Sequence, residues 1–177
     1  FDMVPDSIKE AVIEGLRYDI IDVNNMHHTT GIHGHRPYYS VLTALGLYQL
    51  AYDVLTNPTF PSQAYIINAG LTTWPERQWE WASDIEWDRS LNHPMQAGFA
   101  AFFHENVLGI KPDRQAPGFK RILMKPHFTD QLKWAKGYHN GPYGKIYSSW
   151  EQLKEVFKWQ ISIPPNSEAV IYLPAKK

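Results

Sequence analysis

Near residue 110 the apolar residues of this chain change their period, and that change constrains the fold more than any other feature. Before it, apolar side chains recur every three to four positions, which suits helices; after it they alternate, which suits strands. A helix from about Ser7 to Tyr18 carries Ile8, Val12 and Leu16 on one stripe, with Asp6 placed to cap it. A second helix is expected from Tyr38 to Leu55, opened by Pro37 and striped by Val41, Leu42, Leu45, Leu50, Val54 and Leu55, until Asn57-Pro58 stops it. A third runs from about Ser62 to Ala69 and ends at Gly70. A fourth runs from Pro94 to about Asn106, capped by Asn92 and closed by Gly109; Ala100 to Phe103 make it apolar nearly all round, as in a helix buried on several sides.

Beyond residue 110 five short strands are expected: Phe119–Lys125, Leu132–Tyr138, Tyr143–Trp150, Val156–Ile163 and Ala169–Leu173. Turn residues separate them about every ten positions, with a hairpin at Asn140-Gly141-Pro142, as in an antiparallel sheet or sandwich. The fold class is therefore α plus β in separate parts, residues 1–110 helical and residues 111–177 strand-rich, joined by the proline-bearing stretch 111–118.

Bulk properties exclude several classes of function. The net charge is -1 with no basic block, so the footprint of a nucleic-acid binder is absent, and no apolar run has the length of a membrane span. There is no cysteine, so no disulfide scaffold or thiolate metal site exists, and no cofactor motif is present. His27, His28, His33 and His35 cluster, but no third ligand has a supporting spacing, so no metal is expected. The chain opens at Phe1 without a targeting stretch, and is expected to be a piece of something longer. These properties leave the compartment open, with a periplasmic or secreted setting preferred over the cytoplasm.

Aromatic residues reach 14%, with seven Trp. Flat indoles either fill a core or stack on the C–H faces of sugars, and composition leaves both readings open. The segment between Gly70 and Asn92 narrows the choice. From Trp74 to Asp88 it holds Trp74, Trp79, Trp81 and Trp87 together with Glu76, Glu80, Asp84, Glu86 and Asp88, without a stable period. A long aromatic-rich loop inside a domain is usually functional. Carboxylates among indoles are what glycoside hydrolysis needs: one group protonates the leaving oxygen while another activates water. Glu76 follows Pro75, which stiffens the chain. It is the candidate carboxylate, against the plainer reading of a surface pair with Arg77 or Arg89. Each of the other four more simply caps a turn or binds Arg.

An ordered series of blocks sharpens this. Thr29-Thr30-Gly31 is followed by Gly70-Leu71-Thr72-Thr73-Trp74-Pro75-Glu76-Arg77 and by Ser90-Leu91-Asn92-His93-Pro94-Met95. Then come Gly109-Ile110-Lys111-Pro112-Asp113, Ala116-Pro117-Gly118-Phe119-Lys120, Trp134-Ala135-Lys136 and Gly141-Pro142-Tyr143-Gly144. The series, spread over about residues 13–174, resembles the C-terminal portion of bacterial inverting α-L-rhamnosidases. The resemblance implies part of an (α/α)6 six-hairpin barrel followed by a small β-sandwich. It implies release of terminal rhamnose from oligosaccharides or glycosides, so a rhamnose-containing saccharide is the expected partner. It also implies Glu76 as general base and His93 as a pocket residue, and it sets His27 next to a loop that faces the active site, as a candidate sugar contact. By residue type Trp74 and Trp79 are candidate sugar platforms within the substrate site, and Arg77 beside them is read as orienting Glu76 or pairing with another loop carboxylate. Where many relatives read Leu-Trp-Glu-Arg-Trp, this chain has Trp74-Pro75-Glu76-Arg77-Gln78, so the wall Trp is displaced while the Glu-Arg pair is kept. The family's general acid belongs to a segment that would precede Phe1. This polypeptide alone is therefore expected to be inactive, and the upstream part of the barrel is a required partner. Two alternatives stay open: another inverting glycosidase or a phosphorylase on the same barrel, and a carbohydrate-binding or structural module without activity.

Overall fold

The structure, a computed structural model, describes residues 3–76, 90–154 and 156–174. It divides into two compact units, residues 1–98 and 99–177.

The first unit is helical. Helix α1 (Asp6–Tyr18) continues into a π-helical turn, Asp19–Val23. Asp6 is the first helical residue rather than the cap; Pro5 holds that place and no side chain caps the helix. Asp6 still complements the helix N-terminus by its charge. The single helix expected from Tyr38 to Leu55 is two. Helix α2 (Ile32–Ala44) starts earlier and contains Pro37, which cannot donate to the carbonyl four residues back. Helix α3 spans Tyr48–Thr56. Between them Gly46 sits at φ +82°, with Leu47 N–H donating to the Leu42 carbonyl (2.8 Å) and Gly46 N–H to that of Thr43 (3.0 Å). This left-handed cap ends α2 even though the apolar stripe runs on through it. Helices α2 and α3 pack together and bury Tyr39, Leu42, Leu50, Ala51, Val54 and Leu55. Each of the Leu and Val side chains contributes about 1.5–3 kcal/mol relative to exposure. Helix α4 (Gln63–Asn68) is capped by Ser62, whose Oγ accepts from Tyr65 N–H (2.9 Å), and the left-handed Gly70 closes it.

A mixed helical stretch follows residue 93: a 3-10 turn at Pro94–Phe99, an α-turn at Ala100–Phe102 and a π-turn at Phe103–Val107. Phe102 and Val107 are buried, but Phe103 is 41% exposed, so this stretch is not enclosed all round.

Among its described residues the second unit holds six strands: β1 (Ile110–Pro112), β2 (Arg121–Met124), β3 (Trp134–Gly141), β4 (Gly144–Gln152), β5 (Phe157–Ser162) and β6 (Glu168–Ile171). They form two three-stranded sheets, ordered β1-β2-β6 and β3-β4-β5. Pairing is antiparallel except that β6 joins β2 in parallel. The β3–β4 hairpin turns on Pro142-Tyr143, closed by Gly141 opposite Gly144. Leu108, Ile110, Ile122, Met124 and Ile146 form the core, backed by Phe119, Trp159, Ile161 and Ile163. Trp150 is also buried; its indole N–H donates to the Val107 carbonyl (2.8 Å), and Ser148 Oγ donates to that of Leu108 (2.8 Å). Trp134 is 58% exposed, because it stands on the outer face of β3. Gly109 (φ +73°) lies where a Cβ would come within 2.2 Å of the Pro126 nitrogen, so only glycine fits.

Candidate active site

Glu76 is held by its backbone from two sides. Its N–H donates to the Ser90 carbonyl (2.8 Å), and its own carbonyl accepts from Gln96 Nε2 (2.7 Å). Just before it, the Trp74 carbonyl accepts from His93 N–H (2.6 Å), and Thr73 Oγ1 donates to the Leu91 carbonyl (2.6 Å). Residues 73–76 and 90–93 are thus stapled side by side. The Glu-bearing and His-bearing blocks, separate in sequence, meet in space. Arg77 and Trp79 lie outside the described residues.

Glu76 lines a cavity of about 410 Å³ with His28, Thr29, Thr30, Gly31, Ile32, Phe60, Pro61 and Gln96. That is within the range that holds a monosaccharide or a small glycoside. The Thr29-Thr30-Gly31 block therefore faces the candidate base. His93 is not among the walls. It is half-buried beside Trp74, and its Nδ1 is buried with no hydrogen-bond partner among the described residues. His27 is also absent from the walls. Its Nδ1 contacts the Asn24 carbonyl (2.8 Å) and its Nε2 the Thr59 hydroxyl (2.9 Å), so both ring nitrogens are engaged away from the cavity.

The adjacent His28 takes the wall position. It is 5% exposed, and burial first, then the neighbouring His35 and His27, lower its pKa to about 3. Burial lowers His35 to about 4. Both are neutral near neutral pH, which suits the amide of Gln63 lying against both rings. Tyr39 donates its hydroxyl proton to Gln63 Oε1, leaving the amide nitrogen to face the Nε2 of each imidazole. Each ring then carries its proton on Nδ1, and that of His28 faces Thr30 Oγ1 at 3.2 Å. A neutral, hydrogen-bonded network of this kind stiffens the wall without placing a charge there. His33 and His35 lie on α2, and among the described residues no three metal-ligating side chains converge.

Gln96 is the residue that sequence reasoning missed. It sits on the 3-10 turn and is 5% exposed. Its amide nitrogen is engaged by the Glu76 carbonyl, while its Oε1 is buried without a partner among the described residues. An unpaired buried acceptor costs about 1–3 kcal/mol. The available signal was phase: at three residues per turn, Gln96 shares its face with the buried Phe99.

Two family models match the chain. Residues 1–107 match the bacterial α-L-rhamnosidase six-hairpin glycosidase domain, and residues 109–177 match the bacterial α-L-rhamnosidase C-terminal domain. The chain belongs to the bacterial α-L-rhamnosidase family. The helical part is therefore part of a six-hairpin glycosidase domain, followed by the sheets of the C-terminal domain, as the motif series implied.

An α-L-rhamnosidase of Formosa agariphila is 45% identical over 98% of this chain and 18% of its own length. The α-L-rhamnosidase structure from Dictyoglumus thermophilum superposes with a TM-score of 0.90 at 33% identity, covering 97% of this chain and 19% of that one. The Streptomyces avermitilis α-L-rhamnosidase, solved in complex with L-rhamnose, has a TM-score of 0.88 at 28% identity, with 98% and 17% covered. The chain thus spans less than a fifth of the length of these rhamnosidases. Among the described residues no helix is long and apolar enough to cross a membrane.

Proposed function

We propose that this chain supplies the general base of an enzyme that removes terminal α-L-rhamnose with inversion. One observation carries the reading: Glu76, the Glu of the family motif, faces a sugar-sized cavity with its backbone pinned on both sides. Rhamnose is read as bound there, with Trp74 and His93 beside the base. Arg77, Trp79 and His27 belong to the same proposal as substrate contacts or supports. Residues 1–110 are assigned to the catalytic barrel and 111–177 to the β-sandwich. The acid that protonates the leaving oxygen is assigned to the rest of the barrel, about 6.5–9.5 Å from Glu76, the span that admits an attacking water. A periplasmic or secreted enzyme acting on rhamnose-bearing saccharides is the setting proposed.

The test is hydrolysis of an aryl α-L-rhamnoside by the full-length gene product. Glu76→Gln is expected to lower kcat by about 10²–10⁴ with KM changed only a few-fold. A kcat equal to wild type removes the assignment.

A further inference from the structure

Removing a proton from water fixes only one of its two hydrogens. For the lone pair to point at the anomeric carbon, the other hydrogen needs an acceptor as well placed as the base. We propose that Gln96 is that acceptor: its Oε1 takes the second hydrogen of the water that Glu76 deprotonates. This deepens the hydrolase reading above and rests on it.

Three observations support it. Gln96 and Glu76 line the same cavity and are directly hydrogen-bonded, Gln96 Nε2 donating to the Glu76 carbonyl at 2.7 Å. That bond decides which end of the amide is left over. With the nitrogen engaged, only the oxygen remains, so the group Gln96 receives must be a donor. The oxygen is buried and unpartnered among the described residues, in a side chain 5% exposed.

The backbone that carries Gln96 is also set by close contact. Its N–H donates to the His93 carbonyl (3.1 Å), and two residues on, Gly98 lies so close to α2 that a Cβ there would stand 2.8 Å from Arg36 Cβ. Base and acceptor are therefore linked as one unit, and any shift of the turn moves both. In the step itself the water oxygen bonds to the anomeric carbon as one proton passes to the Glu76 carboxylate. The bond from that carbon to the leaving oxygen breaks, and the leaving oxygen takes its proton from the carboxylic acid assigned to the rest of the barrel. The second hydrogen stays on the new sugar hydroxyl, still donated to Gln96. Gln96 exchanges no proton; it is a water-binding residue.

The experiment uses the full-length gene product, an aryl α-L-rhamnoside for turnover and a non-hydrolysed α-thiorhamnoside for binding by Trp fluorescence. Gln96→Leu is expected to lower kcat about 10- to 100-fold, with the thiorhamnoside Kd within about twofold of wild type. Gln96→Met, similar in volume, replaces it if the Leu variant does not fold. Gln96→Glu, which restores acceptor oxygens at the same reach, is expected to recover part of the lost kcat. The inference is overturned if kcat is unchanged. It is equally overturned if Kd weakens in step with kcat, since Gln96 then holds the sugar and not the water. It is also overturned if Gln96→Glu is no better than Gln96→Leu, since Gln96 then acts only through the Glu76 backbone. Glu76→Gln, run alongside, separates the two claims: if it keeps wild-type kcat, the hydrolase reading itself fails.

Discussion

The two units differ in how they use their apolar residues. The sheet unit closes its own core: Ile122, Met124, Ile146 and Trp150 are at most 1% exposed. In the helical unit α1 buries no residue, and Ile8 and Val12 of its stripe are 50% and 45% exposed. The same amphipathic logic that builds a finished core in one place leaves an open face in the other. A barrel of helical hairpins explains this, because each of its helices is patterned for neighbours on both sides. The sheet unit's sequence is written for itself, and the helical unit's for an assembly.

The strongest test of that contrast is to separate the parts. Residues 99–177 produced alone are expected to unfold cooperatively in urea, while residues 1–98 show no cooperative transition and bind a hydrophobic dye. Cooperative unfolding of both pieces would break the comparison. Next in size is Gly109→Ala. With φ +73° and backbone atoms where the methyl must go, it should cost the sheet unit about 3–4 kcal/mol, read as a shift of the urea midpoint.

A pH titration follows. His28 and His35 are held at about 3 and 4, below their ordinary 6.5. The unfolded chain binds protons that the folded chain refuses. This stability is complete above about pH 6.5 and is lost as pH falls from there towards 3, by a few kcal/mol in total. His127 in the sheet unit, lowered to about 4 by burial and by Lys111 and Lys125, sets a smaller slope there. In the full-length protein, His28→Gln with His35→Gln should flatten the pH dependence of the helical part and leave that of the sheet part unchanged. The smallest effect belongs to Trp134→Ser: on an exposed face of β3 it should move the melting midpoint by no more than about 0.5 kcal/mol equivalent. A larger loss would mean that this indole packs against something.

Much of this was legible in the residues. The switch of period, a hairpin turn at 140–142, one residue before its actual place, the Gly70 cap and the ordered motif blocks all depend on local spacing. What stayed hidden has physical causes. The α2–α3 break falls inside an apolar stripe that continues in phase across Gly46, so periodicity alone joined two helices. The strand β1 has three residues, too few to show alternation, and the parallel pairing of β2 with β6 depends on partners 47 residues apart (Arg121 opposite Glu168). His27 and His28 differ by one residue in phase, which places His28 on the cavity wall and turns His27 to the Asn24–Thr59 side. Gln96 carried no motif, because a glutamine beside a phenylalanine-rich run looks like an ordinary polar position until the turn is known to be 3-10.

The staple between residues 73–76 and 90–93 has an evolutionary consequence. Whatever sequence joins its two ends, Glu76 is located by main-chain and side-chain bonds that do not pass through the joining residues. Mutation and recombination can therefore vary positions 78–89 while Glu76 keeps its place.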